Sequence, residues 1–432
     1  MKIPPVKGTR DFYPEDMAVH NYIVDGWKKV SLRNGFEEYD GPIFEYLKMF
    51  QIKSGDEIVE QLFSLKDRGD RELALRPEMT PTLARMVNQR ISSLPRPIKW
   101  FSVPRLFRAE RPQKGRLREF FQWNIDIIGE ESVLADAEVI FTTVDYLRDA
   151  GLRSNHIKVK ISSRRLLAAV LKKIGISALE PLYALLDKRA KLPADTFKAM
   201  LAEQVPDAGK AGRIDAFMQV GDVSQIKEIV GADDEVDRGI DELSALMRWL
   251  GQMGIADYCV FDPGIVRGLA YYTGVVFEVH DIVGELRAIC GGGRYDNLLA
   301  DFGGQPIPAT GMGMGDCVLE ILLREKGVLD AQLTKPKLDY FVACVDWSQR
   351  DTVLKVTTKI RSKGCSATFS YKDANLGKQL KEASAQNAKM CVIIGEEFKD
   401  SKLVVKDMIT GKQELVDVDE FLSGLGIGRE EK

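Results

Sequence analysis

Residues 105–129 read RLFRAERPQKGRLREFFQWNIDIIG, and the order of polar and apolar side chains here decides how the whole chain is read. From Arg118 onward the even positions are Arg118, Phe120, Gln122, Asn124 and Asp126, while the odd positions include Phe121, Trp123, Ile125 and Ile127. Successive side chains on a strand point to opposite faces, so Gln122, Asn124 and Asp126 share one surface and the apolar set packs behind it. The stretch reads as an antiparallel hairpin with a basic turn. Between Lys99 and Arg118 there are seven Lys or Arg residues against one acid, Glu110. Charge alone leaves a solvated face and a polyanion site equally open. The mixture of chemistries favours the site: Arg108 and Arg116 can grip phosphates in a fork, and Asp126 can receive an ammonium.

Totals narrow the class of protein. At 432 residues the chain exceeds one ordinary core, so two or three domains are expected. A composition of 45% hydrophobic and 29% charged residues is that of a globular protein. The formal net charge is -3, so any contact with nucleic acid must come from local patches. The six cysteines form no CxxC pair and the three histidines, His20, His156 and His280, are far apart. That pattern argues against a zinc site or disulfide framework and for reduced thiols in a cytoplasm. The N-terminus lacks an apolar signal segment, and no run approaches membrane-spanning length; no membrane partner is expected.

Working outward, Val19, Ile23, Trp27 and Val30 make one stripe of a helix that starts at Pro14 and ends near Asn34-Gly35. Phe36 to Glu45 reads as a strand interrupted at Gly41-Pro42. Two short strands flank Arg68-Gly69-Asp70, and Thr80-Pro81 opens an amphipathic helix, where Glu78 and Thr80 read locally as capping residues. A helix covers about 132 to 150, and a mainly helical insertion occupies about 162–250. The strand pattern returns at Tyr258. In VRGLAYYTGVVFE, extended geometry sends Tyr271 and Tyr272 to opposite faces. The glycines of Cys290 to Arg294 and Gly311 to Gly315 permit close backbone approach, and the absence of a βαβ unit argues against a dinucleotide fold. Beyond Lys335-Pro336, apolar runs alternating with basic helices indicate an α/β domain over 331–432.

GTRDFYP, LRPEMT, FRAERPQKGRLREFFQ, VRGLAYYTGVVFE and GGGRYD occur in the order found in histidyl-tRNA synthetases, a family of class II aminoacyl-tRNA synthetases, and the resemblance spans nearly the whole chain. It implies an α+β catalytic domain with an antiparallel sheet over 1–330, containing the helical insertion, followed by a C-terminal α/β anticodon-binding domain. It also implies a homodimer that uses histidine, tRNA, ATP and Mg²⁺, with no protein motif of its own for the metal. By matching positions, Arg108 and Arg267 are the catalytic guanidiniums. Glu78, Thr80, Gln122, Asp126, Tyr271, Tyr272 and Tyr295 form the histidine pocket with them. Glu110, Arg116 and Phe120, with Arg108, form the ATP side.

Two departures stand out. The family's RGLDYY is RGLAYY here, with Ala270 in place of a carboxylate, and the arginine of the third class II motif is Val318. Arg294 or a hairpin residue is the candidate to take over the missing contact with the ATP γ-phosphate. The alternative reading is a paralogue that binds histidine without charging tRNA, such as the regulatory subunit of ATP phosphoribosyltransferase. Paralogues of that kind generally lose catalytic-motif residues and the anticodon-binding domain.

Overall fold

In a computed structural model, residues 3–52, 61–189, 192–267, 271–329 and 338–425 are described. The chain divides into two compact units, Met1–Leu333 and Thr334–Lys432.

The first unit is built on one large sheet. Its strands are β1 (Glu37–Glu38), β5 (Ile98–Ser102), β6 (Arg105–Phe107), β7 (Glu119–Ile128), β8 (Ile157–Ser163), β9 (Cys259–Phe261), β10 (Val275–Asp281), β11 (Cys290–Arg294) and β12 (Ala309–Gly315), while β2 (Phe44–Tyr46), β3 (Ser64–Lys66) and β4 (Glu72–Leu75) make a separate small sheet. The spatial order of the large sheet is β1-β5-β7-β12-β11-β10-β8-β9, with β6 paired to β7. From β5 to β8 every pairing is antiparallel. β7 changes partner along its length, from β6 (Arg105 beside Phe121) to β5 (Trp100 beside Asp126). The stretch expected as one interrupted strand, Phe36 to Glu45, instead splits between the two sheets. Gly41-Pro42 separates β1 from β2, because proline cannot donate to a ladder.

The odd side chains of β7 lie in the core: Trp123, Ile125 and Ile127 are fully buried. They meet the helix Pro14–Arg33, which opens with Pro at its first turn and buries Val19, Ile23, Trp27 and Val30. Trp27 stacks on Trp123 at 6.2 Å, and Trp123 Nε1 donates to Ser31 Oγ at 2.8 Å. Helix Leu134–Asp149 covers the same face, with Tyr146 edge-on to Trp123. One face of the sheet is thus sealed, and the even residues of β7 are left on the other.

The insertion leaves at the end of β8, where Ser163 caps helix Arg164–Ile174 by accepting from Leu166 N at 3.2 Å. It returns after the long helix Asp234–Gln252 through β9, which pairs parallel to β8. In the second unit, β13 (Leu338–Cys344), β14 (Ala367–Phe369) and β15 (Ala388–Ile394) run parallel, and β16 (Lys402–Asp407) and β17 (Gln413–Asp417) extend the sheet antiparallel in the order β14-β13-β15-β16-β17. The first three strands are the apolar runs legible in the sequence. The last two, KLVVKD and QELVD, are short apolar pairs or triplets flanked by charged residues and are not.

Arg294 is committed to this framework. Its side chain is 5% exposed, its Nη2 meets Asp136 Oδ2 at 2.5 Å, and its two Nη groups donate to the carbonyls of Glu130 and Ser132, each at 3.0 Å. It does not line the main cavity, so it cannot serve as the replacement guanidinium expected from the sequence. Removing one member of such a pair strands a buried charge. Asp136→Ala is therefore expected to cost about 3 to 5 kcal/mol, read as a lowered urea midpoint with an unchanged slope.

Candidate active site

The open face of the sheet carries a cavity of about 960 Å³. Its floor follows from the strand register. Asp126, Asn124 and Gln122 of β7 sit beside Gly311, Gly313 and Gly315 of β12. Gly311 and Gly313 sit beside Gly293 and Gly291 of β11, which in turn face Val276 and Glu278 of β10. Glu278 and His280 then pair with Lys160 and Lys158 of β8. Two adjacent strands thus present backbone only, and polar side chains stand on either side. The space is needed: a Cβ at Gly311 would lie 2.1 Å from Asp126 Oδ1.

At one end, Asp126 accepts from the Tyr295 hydroxyl at 2.5 Å. Burial disfavours its charge, and although the Tyr295 bond opposes this, its pKa is raised to about 7. Tyr271 packs edge-on to Tyr295 at 5.9 Å and donates to Glu78 Oε2 at 3.4 Å. Thr80 and Gln122 line the same space. Helix Thr80–Arg90 begins at Thr80 itself and no side chain caps it, so the capping roles expected for Glu78 and Thr80 are not what these residues do. Alternation would separate the two tyrosines only if the segment were extended, and it is not. Their rings are 4.9 Å apart and both line the cavity, because the segment is a turn ahead of β10 and the alternation of a strand does not apply.

At the other end lie Arg108, Glu110, Arg116 and Phe120. Arg108 Nε donates to Pro77 O at 3.0 Å, and its guanidinium rides over the Phe120 ring at 5.1 Å. Glu110 and Arg116 form an ion pair. The third-motif position, Val318, packs against the hairpin turn: a Cβ added at Gly115 would lie 2.9 Å from Val318 Cγ2. Asp316, beside it, is held by Arg10 at 2.5 Å and accepts from Phe121 N at 3.1 Å. This gives GTRDFYP a structural task, tying the start of β7 to the helix Asp316–Glu325. Ala270 lies outside the described residues.

Between the two ends, Arg267 enters with its backbone in the left-handed region, φ +62°, and pairs through Nη1 with Glu278 Oε1 at 2.8 Å. Burial opposes its charge, but Tyr272 and Glu278 outweigh this and raise its pKa. Glu278 is held low, at about 2; burial would raise it, but the hydrogen bond with His280 and the charge of Arg267 win. Sequence reasoning missed Glu278, His280, Lys158 and Lys160, all of which line the cavity. Their signal was present: polar residues at every second position of IKVKISS and VVFEVHD. Among the described residues, no three His, Cys, Asp or Glu side chains converge on a metal position.

A mainly antiparallel sheet with this hairpin, this third-motif helix and a cavity across them defines a class II aminoacyl-tRNA synthetase fold. A family model described as Histidyl-tRNA synthetase matches residues 8–315, and one described as Anticodon binding domain matches residues 339–426. The chain is 38% identical over 416 residues to the chloroplastic/mitochondrial histidine--tRNA ligase of Arabidopsis thaliana, covering 95% of this chain and 84% of that protein. It is 37% identical to the histidine--tRNA ligase of Natronomonas pharaonis, covering 96% of each. Among solved structures, histidyl-tRNA synthetase from Nostoc sp. PCC 7120 superposes with a TM-score of 0.84 at 24% identity, covering 98% of this chain and 99% of that one. The apo S. aureus histidyl-tRNA synthetase gives 0.72 at 26% identity, covering 99% and 100%. This chain belongs to the histidyl-tRNA synthetase family.

The raised Asp126 makes a pH prediction. Its folded pKa, about 7, lies above the ordinary carboxylate value of 3.8, so between the two the native state holds a proton that the unfolded chain has released. The stability from this group is complete below the lower value and is lost as pH rises to about 7. Relative to Asp126→Asn, the unaltered chain should lose up to about 1.4 kcal/mol per pH unit across that window, measured by denaturant unfolding at several pH values.

Proposed function

We propose that this chain attaches histidine to its tRNA in two steps, by way of a histidyl-adenylate. In the first, a carboxylate oxygen of histidine attacks the α-phosphorus of ATP, the bond to the β-phosphate oxygen breaks, and pyrophosphate leaves. In the second, the terminal ribose of the tRNA takes the histidyl group and AMP departs. The observation that carries this reading is the pairing of two guanidiniums, Arg108 and Arg267, across a bare glycine floor between a carboxylate-bearing pocket and an aromatic, cationic one.

Attack of one anion on another needs positive charge that is already in place. Arg108, fixed by Pro77 and Phe120, and Arg267, fixed by Glu278, provide it without reorganisation. The amino-acid end is Glu78, Thr80, Gln122, Asp126, Tyr271, Tyr272 and Tyr295. Glu78 suits the ammonium, and the Asp126–Tyr295 pair suits an imidazole N–H. Phe120 offers a face to the adenine, with Glu110 and Arg116 beside it.

Mg²⁺ fits as an ion carried in by the nucleotide. Of the carboxylates lining the cavity, Glu78, Glu110, Asp126, Glu278 and Asp281 have protein partners, so phosphate oxygens and water would supply most of its ligands, with Glu110 the carboxylate on the ATP side. When bound, the ion neutralises polyphosphate charge. The second unit supplies the tRNA anticodon contact, which a histidine sensor does not need. We further infer a homodimer and a cytoplasmic location. The latter is supported by six cysteines that are all free and by the absence, among the described residues, of a helix able to cross a membrane.

Histidine-dependent exchange of pyrophosphate into ATP, followed by tRNA charging, tests the reading. No exchange at saturating histidine, ATP and Mg²⁺ would sink it. Arg108→Ala and Arg267→Ala should each slow exchange by at least about tenfold. Because the turn carrying Arg116 rests on Val318, an arginine at this position must displace it. Val318→Arg is expected to raise the KM for ATP by about fivefold, equivalent to about 1 kcal/mol of overpacking; tighter ATP binding would contradict that packing argument.

A further inference from the structure

Arg267 is one of the two guanidiniums assigned to the reactants, and its position depends on Glu278, the last residue of VRGLAYYTGVVFE, and on His280 just beyond that motif. Its backbone is left-handed, a conformation that a residue with a Cβ rarely holds without compensation from its surroundings. Its guanidinium lies on the bare backbone of β11, where a Cβ at Gly291 would come within 2.0 Å of Arg267 Nη1. One donor is taken: Nη1 gives its hydrogen bond to Glu278 Oε1 at 2.8 Å. Another is not, since Nε is buried without a partner among the described residues.

Glu278 divides its two oxygens. Oε1 holds Arg267, and Oε2 lies 2.9 Å from His280 Nε2. His280 follows two residues later on the same face of β10, so the strand itself sets the spacing. Lys160, the cross-strand neighbour of Glu278, is engaged with Asp262 at 3.1 Å and leaves the carboxylate to these two partners. A carboxylate bonded through one oxygen can still rotate. Bonded through both, it presents a fixed acceptor to the guanidinium.

We propose that Glu278 is the positioning residue for Arg267, and that His280 fixes Glu278 by holding its second oxygen. Both act through Arg267 rather than on the reacting atoms. Together they hold the Arg267 guanidinium over the bare floor at Gly291, where the attacking carboxylate and the α-phosphate would meet. The proposal deepens the activation reading given above and rests on it.

The test is a double-mutant cycle on pyrophosphate exchange with the full chain, using Glu278→Gln, Arg267→Ala and the pair. Glu278→Gln alone should lower kcat by at least about tenfold while changing the KM for histidine by less than about twofold, the pattern of an interaction made mainly in the transition state. In the Arg267→Ala background the same change should cost less than about twofold, because the group being positioned is gone. His280→Ala should lower kcat and His280→Gln, which keeps a donor, should restore most of it. That pair also carries the test if Glu278→Gln fails to fold by thermal melt. Equal losses from Glu278→Gln in both backgrounds, unchanged kcat in Glu278→Gln, or equal activity of the two His280 variants would overturn the positioning role. If the unaltered chain shows no exchange, the activation reading itself falls and the proposal with it; exchange in the unaltered chain with additive losses overturns the proposal alone.

Discussion

Two neighbouring strands without side chains on one face are the constraint from which the rest of this site follows. β11 and β12 place Gly291, Gly293, Gly311, Gly313 and Gly315 side by side, and the cavity exists because nothing rises from them. The cost is a weaker sheet, since glycine contributes no side-chain packing and loses the most freedom on folding. The opposite face offsets it. Helices Pro14–Arg33 and Leu134–Asp149 seal it with Trp27, Trp123 and Tyr146, and the buried Arg294–Asp136 pair ties the end of β11 to the second of these helices.

The flat floor also explains the electrostatics. Charged groups stand at its borders in pairs: Glu110 with Arg116, Glu278 with Arg267, Asp126 with Tyr295. Each is buried enough for an isolated charge to be costly and is partnered so that it is not. The partners differ, and so do the outcomes. Glu278, between a cation and a histidine, stays ionised well below neutrality, whereas Asp126, helped only by a hydroxyl, sits near pH 7. Two carboxylates on one sheet face are thereby given different tasks by their neighbours alone.

Val318 and Arg294 show how a motif departure is absorbed. With the third-motif arginine missing, Arg294 in GGGRYD and the hairpin residues were the candidates to replace it. The fold instead sends Arg294 away from the cavity into a buried pair, and lets the hairpin turn settle onto the smaller Val318 so that Arg116 stays beside Phe120 and Glu110. Alternation along β11 separates Arg294 from Gly291, Gly293 and Tyr295, so with those three toward the cavity Arg294 faces away.

The sequence by itself determined the strand that organises the site. Alternation along Arg118 to Ile127 assigns Gln122, Asn124 and Asp126 to one face, and the glycine spacing in GGG and GMGMG marks strands that must stay bare. Period-2 alternation is a local property of an extended chain, so it survives without knowledge of partners. The rule does not reach Tyr271 and Tyr272, which lie in a turn, and propensity failed for Thr80, where a capping residue became a pocket wall. Only the tertiary structure decided that β10 and β8 flank the glycines, and hence that Glu278 and His280 reach Arg267. The pairing of β10 with β8 joins segments more than a hundred residues apart, as Glu278 and Lys160 are, while β10 and β11 are neighbours in the chain. Their register is set by side chains meeting across the assembled sheet, which no local pattern encodes.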